Sequence, residues 1–291
     1  MTQRQKDETI IHRPQIVAVD DDWFDVQKVS NRLYTISEPR HYEHTVMNLL
    51  VGKQHAVLID TGCGIGNLSR VVEQLTNLPV TVVNTHTHLD HLGSNHQFSD
   101  IIMFDHPNSR NVSQNGALKE DFVRELLDEK FVTPPWPRSF ELASTTLPPF
   151  KVSRWIKHED ILELGDICLK VLHTPGEASD HICLLEQNDR ILFTGDILLH
   201  GAVWSHLDGG DIEELSHSYE LLMQYYDEID FLMPSHNTSC LEKNLLPIAL
   251  AGVKEILDGN VVPRQGKDAW GRFYNEYDFG RISILTRQLS R

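Results

Sequence analysis

The stretch THTHLDHLG, residues 85–93, decides the fold. The run VTVVN leads directly into it, and its β-branched residues predict a buried strand. His86 and His88 stand two residues apart, so in an extended segment their side chains lie on the same face. Asp90 and His91 follow where the chain is expected to turn. Four side chains that can bind a metal therefore occur within six residues at the end of a strand, and zinc, iron and manganese accept such imidazole and carboxylate ligands.

Two later segments have the same design, a predicted strand that ends in a metal-capable side chain. FTGD (193–196) ends with Asp196, and MPSH (233–236) ends with His236. A single aspartate after Thr-Gly is usually a turn residue, and a single histidine is usually incidental. Their order after a His-x-His-x-Asp-His segment makes both residues candidate metal ligands.

The stretch TPGEASDH (174–181) places Glu177 just after a proline-glycine turn. Glu177 could be an ordinary solvated loop carboxylate, or it could be a metal ligand. His181, four residues later, is a second candidate ligand in the same loop. The residues by themselves leave these alternatives open.

The composition excludes some classes of partner. The chain has 291 residues, with 26 Lys and Arg against 42 Asp and Glu, which gives a formal net charge of -16. Binding to nucleic acid or to anionic lipid without sequence or headgroup specificity needs a basic surface, so we expect neither. The four cysteines form no Cys-x-x-Cys pair and predict no disulfide framework. We expect a small-molecule substrate.

The location predicted from the sequence is the cytoplasm. The first residues, MTQRQKDETIIHRP, are polar and lack the apolar run of a signal peptide. No run of about 18 apolar residues is present to span a membrane.

The predicted elements form two groups of strands, each interleaved with helices, which favours two packed sheets with helices outside. We expect a loose N-terminal extension (1–24) and a single domain (25–291) with an insertion at about 108–150, where prolines are frequent. The predicted helices span 66–78, 212–228 and 245–259. The predicted strands span 29–37, 44–52, 55–62, 80–86, 101–107, 166–174, 181–187, 190–196 and 230–236.

These motifs resemble those of the metallo-β-lactamase-fold hydrolases, the superfamily that includes glyoxalase II, lactonases and β-lactamases. The resemblance covers roughly residues 29–285. It implies an α/β fold, a four-layer αββα sandwich with a binuclear metal site along the sheet edges. The motifs that carry it are LIDTG (58–62), THTHLDH (85–91), TPG (174–176), FTGD (193–196) and PSH (234–236).

The resemblance also implies roles for individual residues. His86 and His88 would bind the first metal together with a third ligand from the Thr-Pro-Gly turn. Much of the family has a histidine directly after that turn, whereas this chain has Glu177. We expect Glu177 to be the ligand, with His181 as a substitute or an incomplete first site as the alternatives. Alkylsulfatase-like members of the superfamily also carry Pro-Gly-Glu.

The second metal would be bound by Asp90, His91 and His236, and Asp196 would bridge the two ions. Asp60 would hold the backbone of the site without binding metal. We expect two divalent ions, zinc first, with manganese or iron as alternatives. A glutamate in place of a histidine makes the site less positive and favours harder metals, which is a hypothesis.

The implied function is metal-dependent hydrolysis of an ester, thioester or lactone bond by a metal-bridging hydroxide. Asp90 would be the catalytic residue that orients the hydroxide. Trp204 and His206 lie in the loop after Asp196 and could contact substrate or cover the sheet edge.

Three other functions compete with this one. The first is hydrolysis of a phosphate or sulfate ester, which Pro-Gly-Glu favours slightly. The second is a mononuclear iron enzyme similar to persulfide dioxygenases. Against it, His91 and His236, which would bind a second metal, are both present. The third is a non-catalytic binding protein, which degraded ligand positions would indicate. No motif selects one substrate or one oligomeric state.

Overall fold

The computed structural model describes the chain in three ranges: 14–138, 140–141 and 146–288. The first half of the predicted N-terminal extension, residues 1–13, therefore lies outside the described residues, as do Ser139 and 142–145 of the predicted insertion. Within the three ranges, the longest apolar helices fall short of what a membrane crossing requires.

The described chain forms two compact units. Unit 1 comprises the residues up to Ile156 together with Leu162–Cys168. Unit 2 comprises Lys157–Ile161 and the chain from Leu169 onward. The single domain predicted over 25–291 stays a prediction.

Unit 1 contains an eight-stranded sheet whose strands lie in sequence order. Strands β1 to β5 pair antiparallel, and β5 to β8 pair parallel. The central strands are buried on both faces and are mainly apolar, with Asn48 in β4 and Thr81 in β6 as buried polar exceptions. The strands are β1 (Gln15–Val17), β2 (Asp25–Lys28), β3 (Leu33–Ser37), β4 (Val46–Val51), β5 (Ala56–Ile59), β6 (Val80–Val83), β7 (Ile101–Phe104) and β8 (Arg154–Ile156).

The helices of unit 1 include α1 (Leu68–Leu75), which buries Leu68, Val71 and Val72 at helical spacing. The side chain of Asn67 accepts a hydrogen bond from the backbone N–H of Arg70 and caps this helix. The other helical segments are α2 (Pro107–Asn115), α3 (Lys119–Phe122) with a π-helical continuation (Val123–Leu127), and 3₁₀ turns at Leu89–His91 and Asn95–Gln97.

Two segments of unit 1 pack more closely than the sequence suggested. Residues 15–17, inside the predicted loose extension, pair with β2, and Trp23 is buried. In the predicted insertion, Phe122 and Leu126 belong to the same apolar cluster as the sheet. They lie four residues apart, so the turns of α3 and its continuation place them on one face.

Unit 2 contains two sheets. The first has the strand order β15-β14-β12-β11-β10, and the second has the order β13-β18-β17-β16. The helical elements of unit 2 are α4 (Ile212–Met223), α5 (Leu245–Leu257) and a 3₁₀ turn (Tyr226–Glu228). The strands are β10 (Ile167–His173), β11 (Ile182–Glu186), β12 (Ile191–Gly195), β13 (Gly201–Ser205), β14 (Phe231–Pro234), β15 (Leu241–Glu242), β16 (Arg264–Lys267), β17 (Phe273–Asp278) and β18 (Ile282–Arg287), with β9 (Ile161–Leu164) where the sequence passes from unit 2 to unit 1.

Strand direction places the candidate residues of each unit at one sheet edge. In unit 1, β5 and β6 are parallel, so Asp60 and His86 follow strand ends that lie side by side. In unit 2, β12 is parallel to β14, and two antiparallel steps make β10 run the same way as β12. The loops that carry Glu177, Asp196 and His236 therefore leave the same edge of the first sheet of unit 2.

The burial of Phe122 predicts that the segment 108–150 contributes to stability. Phe122 is 0% exposed, whereas Leu118, one turn earlier, is 71% exposed. Phe122→Ala should lower the free energy of unfolding by about 3 kcal/mol or more, because it leaves a cavity in the core of unit 1. Leu118→Ala should change it by less than about 0.5 kcal/mol. Denaturant unfolding of both variants measures the difference, and equal effects would contradict the assignment of Phe122 to the core.

Candidate metal centre

Asp60 organises the candidate metal ligands of unit 1. Its carboxylate is buried and accepts hydrogen bonds from the backbone N–H and the hydroxyl of Thr85, both at 2.8 Å. The Nδ1 atom of His91 lies 2.9 Å from the same carboxylate. Because an ionised carboxylate only accepts, Nδ1 of His91 carries the proton, and Nε2 keeps its lone pair for another partner.

Thr85 fixes the proton position on His86 in the same way. Its hydroxyl has one proton, which it donates to Asp60, so it accepts from Nδ1 of His86 at 3.0 Å. The lone pair of His86 is therefore on Nε2, and this atom lies 3.1 Å from Nδ1 of His88. Two nitrogens that bind one tetrahedral zinc ion at the usual bond length are about 3.3 Å apart. The separation thus fits one edge of a metal coordination sphere.

Asp90 and His91 form the second pair of unit 1. They lie on the 3₁₀ turn after His88, with Oδ2 of Asp90 at 3.3 Å from Nε2 of His91. The carbonyl oxygen of His91 accepts hydrogen bonds from the backbone N–H of Thr61 at 2.9 Å and from the amide of Asn84 at 2.9 Å. The loop is therefore fixed from both neighbouring strand ends.

Asp196 and His236 form the pair of unit 2. Gly195 and Pro234 are partners in the parallel strands β12 and β14, so the next residues emerge together. The Nε2 atom of His236 lies 3.0 Å from Oδ2 of Asp196. Glu177 is 1% exposed and follows the turn after β10.

His181 has both ring nitrogens engaged inside unit 2. The backbone N–H of Asp196 donates to its Nε2 at 3.1 Å, and its Nδ1 lies 3.0 Å from the hydroxyl oxygen of Thr174. A nitrogen that accepts a hydrogen bond from an amide has no proton of its own, so Nδ1 carries the proton. His181 thus holds the backbone of Asp196 instead of offering a free lone pair.

Trp204 and His206 lie at the end of β13. The side chain of His206 is 0% exposed, and its Nε2 lies 3.3 Å from Oδ2 of Asp268. Burial lowers the pKa of His206, and the Asp268 carboxylate opposes that effect, so the imidazole is neutral near neutral pH. The rings of Trp204 and Tyr274 flank His206, with centroids 5.6 Å and 5.5 Å from its own. His206 is therefore an interior residue.

Sequence reasoning missed Asp268 and a second buried acid, Glu38. The indole N–H of Trp23 donates to Glu38 at 2.8 Å, and the backbone N–H of Cys63 donates to it at 2.7 Å. Burial raises the pKa of Glu38 to about 7, and the Cys63 N–H opposes that rise. Glu38 therefore supports the loop that follows Asp60. In the sequence both acids lie in polar stretches without a motif.

The predicted ligands divide between the units. Unit 1 brings together the pairs His86–His88 and Asp90–His91. Unit 2 brings together Asp196 and His236. The loop with Glu177 begins at the same edge of that sheet. Each pair contains atoms that divalent metals accept, at separations of 3.0 to 3.3 Å.

The family model of the metallo-β-lactamase superfamily matches residues 43–236. The chain belongs to the metallo-β-lactamase superfamily. This superfamily member is 28% identical over 232 residues to the acyl-coenzyme A thioesterase MBLAC2 of Gallus gallus, a match that covers 74% of this chain and 81% of the relative. It is 30% identical over 167 residues to the hydroxyacylglutathione hydrolase GloC of Haemophilus influenzae, covering 56% of this chain and 71% of the relative.

Solved structures show the same fold. The stereoselective inverting sec-alkylsulfatase Pisa1 from Pseudomonas sp. has a TM-score of 0.61 and 16% identity, covering 81% of this chain and 44% of the sulfatase. The DIM-1 metallo-β-lactamase has a TM-score of 0.56 and 15% identity, covering 82% of this chain and all of that chain. At such identities the likeness concerns the fold alone. The predicted α/β metallo-β-lactamase fold is confirmed.

The contact between Gly195 and His181 yields a prediction. Gly195 has φ +51°, and a Cβ atom there would lie 2.3 Å from Nε2 of His181. Gly195→Ala should lower the free energy of unfolding through both backbone strain and this clash. Gly259→Ala is the matched control, because Gly259 has φ +70° with no atom within 4 Å of the added Cβ. Chemical denaturation should give the larger loss for Gly195→Ala; equal losses would argue against the contact.

The raised pKa of Glu38 predicts a pH dependence of stability. Unfolding returns the group to its ordinary pKa of 4.5, below its folded value of about 7. The folded state therefore holds a proton that the unfolded state has lost, and the free energy of unfolding falls as the pH rises from about 4.5 to about 7. The fall from this group is at most about 3 kcal/mol.

Glu38→Gln should remove that part of the pH dependence, because an amide does not titrate in this range. Denaturant unfolding at several pH values, with a chelator present in every sample, measures the difference between variant and wild type. A difference that stays constant between pH 4.5 and pH 7 would show that Glu38 titrates normally.

Proposed function

We propose that this superfamily member is a metal-dependent hydrolase that cleaves a thioester of a small molecule. The observation that carries the proposal is a set of three donor pairs. Within each pair, the distance between the two donor atoms suits two ligands of the same ion. The choice of thioester over ester or lactone rests on two relatives named as an acyl-coenzyme A thioesterase and a hydroxyacylglutathione hydrolase. Both names describe an acyl group attached to a thiol carrier.

The proposed metal ligands are the seven residues that the motifs of the superfamily indicate. In this proposal, the first three residues named in the next sentence would hold one divalent ion, the following three would hold a second, and the last would contribute to both. The ligands are His86, His88 and Glu177; Asp90, His91 and His236; and Asp196. Zinc is the expected metal, with manganese and iron as alternatives, because the set mixes imidazole and carboxylate.

The hydrogen bonds inside unit 1 support this assignment. Asp60 and Thr85 leave the lone pairs of His86 and His91 on Nε2, the atoms nearest to His88 and Asp90 respectively. A carboxylate that orients a metal-binding histidine is a recurrent feature of metal sites. The imidazoles would therefore accept a metal without changing tautomer.

Bound divalent ions would supply Lewis acidity to the thioester carbonyl and lower the pKa of a water molecule. Asp90 is the proposed catalytic residue, since its carboxylate lies beside Nε2 of His91, with 12% of the side chain exposed. It would accept a hydrogen bond from the attacking water and carry the proton to the leaving sulfur. Water adds to the carbonyl carbon, the carbon–sulfur bond breaks, and the products are a carboxylic acid and a thiol.

Three of the four cysteines have thiols that are poor candidates for a nucleophile. Burial raises the pKa of Cys183 to about 12 and that of Cys240 to about 11, and it raises the pKa of Cys63 well above its usual value. These thiols stay protonated near neutral pH, and a protonated thiol is a poor nucleophile.

The test measures metal content and thiol release together. Purified protein, loaded separately with zinc, manganese or iron, should release thiol from an acyl-coenzyme A or an S-acylglutathione. Chelation should abolish this activity, and the metal should restore it. Asp90→Asn should lower kcat at least about 100-fold, because it removes both the proton acceptor and an anionic metal ligand. His158→Asn is the control, since His158 lies at the surface of unit 2.

Other outcomes would favour the competing functions. Hydrolysis of aryl sulfates or phosphates without thioester hydrolysis would identify an ester hydrolase of that type. A single iron per chain with oxidation of a persulfide would identify a dioxygenase-like enzyme. Thioester hydrolysis that survives full removal of metal would overturn the proposal.

A further inference from the structure

Three hydrogen bonds fix the turn that carries Glu177. The hydroxyl of Ser205 donates to the carbonyl oxygen of Gly176 at 2.6 Å, and the backbone N–H of Asp211 donates to the same oxygen at 2.9 Å. The hydroxyl of Ser218 donates to the carbonyl oxygen of Pro175 at 2.6 Å. Two successive carbonyl groups directly before Glu177 are therefore held from outside the loop.

These hydrogen bonds lie in the interior of unit 2. Ser205 and Ser218 are both buried, so water does not compete strongly for their hydroxyls. Gly176 adds a steric constraint, because it has φ +134° and a Cβ atom there would lie 2.4 Å from Cα of Leu215. The turn with Gly176 thus packs directly on the first turn of helix α4. This contact restricts the backbone of the Gly176 turn to one conformation.

The second sheet of unit 2 holds Ser205 in place. Ser205 ends β13 and is the partner of Thr286 in the parallel strand β18. The next residue, His206, is anchored by the buried carboxylate of Asp268. The loop after His206 then passes close to Ser205. A Cβ atom on Gly210 would lie 2.4 Å from the carbonyl oxygen of Ser205. His206, Asp268 and Gly210 therefore help to hold this serine in place.

We propose that Ser205 and Ser218 are positioning residues for Glu177. Glutamate reaches a metal through a longer and more flexible side chain than histidine does, so a fixed backbone matters more for its placement. The two hydroxyls order the turn before a metal arrives and reduce the disorder that binding must remove. This inference rests on the proposed role of Glu177 as a metal ligand.

The experiment measures the affinity of the full chain for Zn²⁺ by competition with a chelator. Ser205→Ala and Ser218→Ala should each weaken Zn²⁺ binding about tenfold, the size expected when a group that orients a ligand is lost. Ser113→Ala is the matched control. Ser113 is also buried, and its hydroxyl donates to the carbonyl oxygen of Arg110 at 3.0 Å inside helix α2. The control should leave Zn²⁺ affinity unchanged.

A double-mutant cycle separates positioning from a general loss of structure. In a Glu177→Gln background, Ser205→Ala should cause no further loss of Zn²⁺ affinity, because the ligand that it positions is already impaired. Ser218→Thr, which keeps a hydroxyl, should retain wild-type affinity. Should Ser205→Ala fail to fold, Ser218→Ala carries the same cycle.

The outcomes distinguish the positioning role of the two serines from the ligand role of Glu177. If Glu177→Gln weakens Zn²⁺ binding and the serine variants do not, the positioning role is overturned and the metal site stands. If Ser205→Ala has the same effect with or without Glu177, its role is structural and the inference is again overturned. If Glu177→Gln binds Zn²⁺ as tightly as wild type, the ligand role of Glu177 fails, and the positioning role fails with it.

Discussion

The hydrogen bonds to the Asp60 carboxylate are the constraint on which the loop with the candidate metal ligands of unit 1 depends. Asp60 has φ +62°, a backbone conformation that is uncommon for a residue with a side chain. That conformation is kept where the buried carboxylate accepts from Thr85 and His91. One acid therefore sets the proton positions on both His86 and His91 and joins two strand ends.

The sequence predicted the elements that end in motifs, because local patterns determine them. Strand β6 and the turn with Asp90 and His91 are readable from apolar periodicity and from residue type. The ends of β12 and β14 are equally readable, and the parallel pairing then brings Asp196 and His236 together. The candidate ligand pairs within each unit thus follow from sequence and topology.

The supporting residues could not be predicted, because each acts through a contact distant in sequence. Glu38 binds the backbone of Cys63, 25 residues away, and Asp268 binds His206, 62 residues away. Ser205 binds the carbonyl of Gly176, 29 residues away. A serine or an acid in a polar stretch has many ordinary roles, and only the fold selects one of them. The same holds for Phe122, whose burial depends on the sheet beneath it.

The glutamate at position 177 is consistent with the proposed substrate. Three carboxylates set against two divalent ions would leave a formal charge of about +1, which makes the site a weaker Lewis acid than one with a histidine there. An ester or amide needs strong activation, because an alkoxide or an amine anion leaves with difficulty. A thiol has a pKa of about 8.5, so a thiolate leaves readily near neutral pH. With Glu177 as a ligand, the less positive site would still activate a thioester sufficiently, because its leaving group needs little assistance.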